Sequence, residues 1–231
     1  GAYSSPERIL GENIGKSLYP DTCYQYSSGG NPDIIPKLSY EAFLDFHRKF
    51  YHPSNSYIYL YGNGNIEKQL KHIDENYLYN FDKAEIHSTI GIQKPFSSKN
   101  EIVDYYPISN EENDENRSYL SLNFVLGENT DPEIYLMTSI LSQLLVESEA
   151  APLKKALLDE GIGEDVFPIT SGGLQPSFGI VAKNTSINKK EQFEKVIFET
   201  LNNLVQNGID RKLIEACINI VEYDLREASK F

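Results

Sequence analysis

Cysteine is nearly absent from this 231-residue sequence: only Cys23 and Cys217 occur, far apart along the chain. That excludes a disulfide framework and a CxxC pair, and points to a reducing compartment such as the cytoplasm. Basic residues are in short supply as well. The 21 Lys and Arg face 34 Asp and Glu, a net charge of −13. A surface of that sign does not track phosphates, so no nucleic acid partner is expected, and it disfavours an anionic membrane surface equally. No run approaches the about 18–20 apolar residues of a spanning helix, and the first residues do not read as a signal peptide, so no membrane partner is expected either. Complete catalytic motifs are missing too. The sequence has no GxSxG elbow, no Walker loop, no GxGxxG after a strand and no HExxH. Histidine numbers only four, which leaves few places from which a zinc site could draw ligands.

What is present is ordinary for a globular chain of one or two domains. Charged residues make up 24 % and hydrophobic residues 40 %, with 16 Tyr counted among the latter, enough to bury a core at this length. Ile9, Ile14 and Leu18 recur at helical spacing up to Pro20. The turn-forming run Ser27 to Asp33 follows. Ser39 then reads as the N-cap of a helix carrying Phe43, Phe46, His47 and Phe50, stopped at His52-Pro53. Tyr57 to Tyr61 predicts a strand ending at Gly62-Asn63-Gly64, and Asn65 to about Tyr79 a helix with Leu70, Ile73, Tyr77 and Leu78 on one side. Helix, helix, strand, helix is too lopsided to fold alone and should pack on something upstream.

The texture changes at Lys94, where a linker begins, and we place a domain boundary there, giving 1–93 and 94–231. Glu101 to Ile108 predicts a strand and Asn110 to Asn116 an acidic loop. Tyr119 to Leu126 alternates, with Leu120, Leu122, Phe124 and Leu126 on one face of an antiparallel or mixed sheet. Asp131-Pro132-Glu133 combines an N-cap, a first-turn proline and an acid at the positive end of the helix dipole. A second helix ends at Gly161, Phe178 to Lys183 is a strand, and a helix from Glu191 closes at Gly208, after which Asp210 caps the last one. The expected class is α+β, a sheet with helices covering one face. The helical pattern is under way close to Gly1 and the last apolar face continues towards Phe231 without a cap, so both ends read as cut.

Candidate chemistry is thin. His72-Ile73-Asp74-Glu75-Asn76 resembles an HxxEH motif whose second His has become Asn. On a helix the i and i+4 side chains share a face, so HxxEH offers two imidazoles to one metal; Asn76 is a poor substitute, and a solvated helix face is the preferred reading. His47 and His52 straddle a helix end and read as packing or capping residues. Ser27-Ser28-Gly29-Gly30 could cradle an anion but has no Lys or Arg nearby, and Gly62-Asn63-Gly64-Asn65 lacks the Lys-Ser/Thr pair of a phosphate loop, so both read as turns. Asn116-Arg117-Ser118 and Asn184-Thr185-Ser186 match the glycosylation sequon by chance-length strings. The expectation is therefore no catalytic residue and no metal ligand in this chain, with substrate-binding residues unassigned.

Five ordered strings carry a resemblance: Gly1-Ala2-Tyr3-Ser4-Ser5-Pro6, Leu18-Tyr19-Pro20-Asp21, Tyr26 to Pro32, Ile35-Pro36-Lys37-Leu38-Ser39, and Phe46 to Asn55. In order and spacing they resemble the presequence protease and falcilysin branch of the insulinase-like (pitrilysin) zinc metallopeptidases, sharply to about residue 65 and in pattern beyond. The resemblance implies an insulinase-type metallohydrolase fold, a mixed sheet covered by helices in two partial repeats. Residues 1–93 would be the rear part of the first, catalytic-type domain without its zinc motif, and 94–231 a second, non-catalytic domain, truncated at its C-terminus. In that family the inverted HxxEH lies upstream and the third ligand, a Glu, lies just before the position of Gly1. None of the ligands therefore falls on a residue here, and neither Glu7 nor Glu12 is promoted.

The implied function is that of a segment of a zinc-dependent metalloendopeptidase that degrades unfolded peptides in an enclosed chamber. Zinc would belong to the full-length protein, not to this segment, which would be inactive alone and serve as scaffold and chamber wall. Its partners would be peptide substrates and the remaining upstream and downstream parts of the same chain. An acidic wall suits basic peptides, although −13 reads first as a solubility charge. The family fits an organelle matrix as well as the cytoplasm. The competing reading is a naturally short, non-catalytic peptide-binding or regulatory protein.

Overall fold

The structure is a computed structural model that describes residues 5–109, 113 and 115–228. Most of the acidic loop expected over Asn110 to Asn116 lies outside the described residues, as do the first four residues of the Gly1–Pro6 string. The chain divides into two compact units, one made of residues 1–26 with 92–231, the other of 27–91.

The first unit is built on a three-stranded sheet. Strands β1 (Ser118–Val125), β2 (Asp165–Ser171) and β3 (Ser177–Thr185) lie in the order β1-β3-β2. Both ladders are antiparallel, so the mixed sheet of the expectation is corrected: β2 and β3 form a hairpin, and β1 runs antiparallel to β3. The α+β class itself holds. The register sets Leu120, Leu122 and Phe124 opposite Ala182, Ile180 and Phe178, which puts the alternating residues of β1 on one face as their period of two requires.

Five α-helices belong to this unit among the described residues. Helix α1 spans Pro6–Leu18, α4 Pro132–Ser142, α5 Pro152–Asp159, α6 Lys190–Asn207 and α7 Arg211–Ala228; α4 runs on into a π-helical turn, Gln143–Glu147. Their ends follow local chemistry. The Ser5 side chain accepts the Arg8 N–H at the start of α1, and Asp131 Oδ1 accepts the Glu133 N–H at the start of α4. Gly161 after α5 and Gly208 after α6 take the left-handed conformations (φ 64° and 81°) that end helices without a Cβ penalty. Asp210 Oδ1 accepts the Lys212 N–H at 3.0 Å, capping α7 as expected.

The core lies on one face of the sheet. Leu120, Phe178, Ile180 and Ala182 of the strands meet Leu145 and Val146 of the π turn, Leu153 and Leu157 of α5, and Phe193 and Ile197 of α6. The opposite face is covered by α1, whose Ile14 and Leu18, with Tyr19, pack against Val125 and Ile169. Helices thus cover both faces, not one as expected. The second cover comes from the N-terminal helix, which sequence order alone does not connect to a sheet more than ninety residues further on. β3, shielded above and below, is buried along almost its whole length, like the central strand of a two-sided layer.

Residues 27–91 are a different kind of object. They form α2 (Tyr40–Phe50), α3 (Ile66–Asn76) and three short 3-10 turns, Ile35–Lys37, Pro53–Asn55 and Leu78–Asn80, with Ser39 and Asn65 capping the two helices through side-chain acceptors.

The expected strand Tyr57–Tyr61 forms no ladder. A strand needs a partner's N–H and C=O groups, and among the described residues 27–91 hold no second strand. Not one side chain of this unit is buried. Glu101 to Ile108 is likewise not a strand. It is held by side chains, with Asn13 Nδ2 donating to Asp104 Oδ2 at 2.7 Å and Tyr106 Oη donating to the Arg117 carbonyl.

The two thiols sit in opposite environments. Cys23 is exposed and Cys217 is buried, where desolvation pushes its thiol above the ordinary value. Iodoacetamide on the native chain is expected to label Cys23 fully and Cys217 only after denaturation; equal labelling rates by peptide mass spectrometry would contradict this burial.

Candidate functional site

The HxxEH-like string is the natural place to begin. α3 carries His72, Glu75 and Asn76 on an exposed surface, with Lys71 Nζ 3.6 Å from Glu75 Oε1. Asn76 Nδ2 donates to the His72 carbonyl at 3.0 Å and lies 3.2 Å from His72 Nδ1, the position a second imidazole would have to leave free for a metal. Among the described residues no three His, Cys, Asp or Glu side chains gather around one point. An amide against the imidazole, on open helix surface, is not a donor set that fits zinc.

Two other histidines, His47 and His52, serve structure. His47 stacks on Tyr51 with ring centroids 4.7 Å apart. His52 Nδ1 accepts the Ser54 N–H at 3.1 Å and its ring meets Phe81 edge-on. At the two glycine loops, Gly30 (φ 82°) closes a turn by donating to the Ser27 carbonyl, and a Cβ on Gly64 would come within 2.5 Å of the Gln69 amide that folds over it. The Gly30 N–H is thus engaged within its own turn, and the Gln69 side chain fills the space beside Gly64.

Two polar clusters in the first unit went unread in the sequence. At the start of α1, Glu7 Oε1 accepts from Lys183 Nζ of β3 at 2.7 Å and from Tyr119 Oη of β1 at 2.8 Å, while Ser5 Oγ donates to Oε2 at 3.2 Å. The hydrogen bond from Lys183, then the backbone N–H at the helix start, then Tyr119, hold the Glu7 carboxyl down at about 2. Burial and the Glu7 acceptor push the Tyr119 phenol up, and the Lys183 ammonium is raised by its bond to Glu7. The cluster ties α1 to two strands.

Its pH behaviour follows from the sign. An unfolded glutamate titrates near about 4.3, so the folded chain holds the proton more weakly. The stabilisation is complete above about pH 4.5 and is lost as pH falls towards 2. Glu7 is half exposed, which limits the effect to under about 1 kcal/mol. Thermal melts of the wild type and Glu7→Gln are expected to differ by a few degrees at pH 7 and to converge near pH 2; a gap that does not change with pH would contradict the assignment.

The second cluster centres on Gln93, which is buried at 4 % exposure. Its Oε1 accepts the Asp21 N–H at 2.9 Å and its Nε2 donates to Asp21 Oδ2 at 2.8 Å. Its backbone N–H donates to Gln175 Oε1 at 2.6 Å. Around it, Tyr19 Oη donates to the Gln175 carbonyl at 2.7 Å, the Leu174 N–H donates to Tyr24 Oη at 3.0 Å, and Ser171 and Ser177 hydroxyls lie 2.9 Å apart. Gly173 lets the hairpin loop approach, since a Cβ there would sit 3.2 Å from the Tyr24 ring. No signal in the sequence singles out Gln93; only its partners, distant along the chain, reveal it. Neither cluster pairs a nucleophile with a base, and both bind the molecule to itself.

Residues 37–221 match the family described as the peptidase M16 inactive domain. Protein HypA of Clostridium perfringens is 54 % identical over 228 residues, which is 98 % of this chain and 23 % of that protein. Presequence protease 1, chloroplastic/mitochondrial, of Arabidopsis thaliana is 36 % identical over 98 % of this chain and 21 % of its own length. The chain thus spans less than a quarter of the length of these relatives. Among solved structures, the peptidase M16 inactive domain from Pseudomonas fluorescens superposes with a TM-score of 0.68 at 18 % identity, covering 100 % of this chain and 53 % of that one. At that identity the likeness is one of fold.

Proposed function

The chain belongs to the peptidase M16 family as its inactive domain, and on that premise we propose that it is one segment of a longer zinc-dependent metalloendopeptidase that degrades unfolded peptides in an enclosed chamber. The segment's work in that protein is scaffold and chamber wall. Residues 1–93 complete the rear of a catalytic-type domain and 94–231 form a second, non-catalytic one. Zinc and its ligands belong to other parts of the longer polypeptide, in line with the poor fit of His72 and Asn76 to a metal. Its compartment is the cytoplasm or an organelle matrix; among the described residues no helix is long and apolar enough to cross a membrane.

One observation carries the reading. The match to presequence protease 1 runs through 98 % of the chain while using 21 % of that protein, so nearly all of this sequence corresponds to about a fifth of a much longer one. The open aromatic surface of residues 27–91 supports it, because an apolar surface of that extent needs cover.

The experiment compares two proteins on an unfolded basic peptide, with and without a chelator: the longer polypeptide that carries this sequence in its source, and the 231-residue chain. The longer protein is expected to cleave and to stop on chelation, and the chain alone to do nothing. Stoichiometric, chelator-sensitive cleavage by the chain alone would overturn the scaffold role. A native species no larger than this chain would favour the naturally short peptide-binding protein instead.

A further inference from the structure

Every buried side chain of the described molecule lies in the first unit, and that unit is made of two stretches of chain, 5–26 and 92–228, separated in sequence by residues 27–91. The two stretches are joined by much more than the chain between them. α1 seats Ile14, Leu18 and Tyr19 on the sheet beside Val125 and Ile169. Glu7 holds Tyr119 and Lys183, and Asn13 holds Asp104. Where the first stretch leaves the unit, Asp21 is bound in both directions by Gln93, the residue at which the second stretch enters it. Gln175 then fixes Gln93 to the hairpin loop, which also binds Tyr19 and Tyr24.

We propose that the first unit is closed non-covalently: it does not need backbone continuity through residues 27–91, and Gln93 is the stitch that holds exit and entry together. The buried apolar seat of α1 supplies the affinity, and the reciprocal Asp21–Gln93 pair supplies the register. Residues 27–91, with no buried side chain, open locally first, because local stability tracks buried contacts. Cleavage among them therefore leaves the rest folded. The inference stands apart from the proposed function, since it concerns how this chain holds together whatever the longer protein does.

Limited trypsinolysis of the intact chain tests it. Lys37, Arg48, Lys49, Lys68, Lys71 and Lys83 all lie in exposed positions of residues 27–91. Cleavage is expected there first. The two remaining pieces, one ending at Lys37 and one beginning at Ala84, are expected to co-elute on native gel filtration and to unfold in one transition within a few degrees of the uncut chain. First cuts in 92–228, or pieces that separate or precipitate, would overturn the proposal. Gln93→Leu tests the stitch. Uncut, it stays folded by circular dichroism; cut, its pieces are expected to dissociate at least ten-fold faster than those of the wild type, and an unchanged rate would remove Gln93 from the account.

Discussion

Gly179→Val is expected to unfold the first unit or leave it barely cooperative. Gly179 sits in the middle of β3, opposite Asn123 of β1 and Ile169 of β2. Those two side chains close over it from either side. A Cβ would come within 2.0 Å of Asn123 Oδ1 and 2.8 Å of Ile169 Cγ2, distances that no real Cβ adopts. The Asn123 amide could swing away, but Ile169 is packed beneath α1 and has nowhere to go. Overpacking typically costs about 1–3 kcal/mol, and a β-branched residue blocked on both sides belongs at or above the upper end. At about 2–4 °C per kcal/mol for a chain of this size, the midpoint should drop by roughly 6–12 °C or more. A thermal melt followed by circular dichroism checks it, and a shift below about 2 °C would mean that the sheet has slack not visible in its packing.

Leu157→Ala should cost about 2–5 kcal/mol, a midpoint lower by roughly 5–15 °C. Leu157 is fully buried on α5, among the core residues between the helices and the sheet. Removing its three outer carbons leaves a cavity whose walls, helix and central strand, cannot collapse far. The matched control is Leu70→Ala on α3, where the side chain is 56 % exposed. That substitution should stay within about 0.5 kcal/mol in the isolated chain. Urea titrations of both variants decide the matter, and equal losses would mean that the two units share their stability.

The parts of this architecture legible in the sequence are those decided within one helical turn or one strand. Ser39, Asp131-Pro132, Gly161 and Gly208 mark their helix ends because a cap depends on neighbours three or four residues away. The face shared by Leu120, Leu122 and Phe124 is legible because a strand half buried in a layer must alternate.

What failed to show depends on distant partners. Tyr57 to Tyr61 has the composition of a strand, but composition cannot supply a neighbouring ladder. The reverse happened at β2, which the sequence reading passed over: Pro168 removes a donor from the run, and only the structure shows it on an edge strand, paired on one side to β3, where that loss is tolerated. The π turn after α4, the cover supplied by α1 and the bonds of Gln93 are likewise products of packing. The expectation of no complete catalytic set, by contrast, rests on residue types alone, since few histidines and no intact motif leave little to assemble.

The unburied state of residues 27–91 bears on how tolerance to substitution is measured. A library screened for the fold of this chain alone will score Tyr57, Tyr59 and Tyr61 as nearly free positions, because no packing inside the chain registers their loss. The same library carried in a longer polypeptide and screened for turnover asks a different question of the same codons. Positions silent in the first screen and intolerant in the second would trace, residue by residue, the outline of whatever rests on this surface.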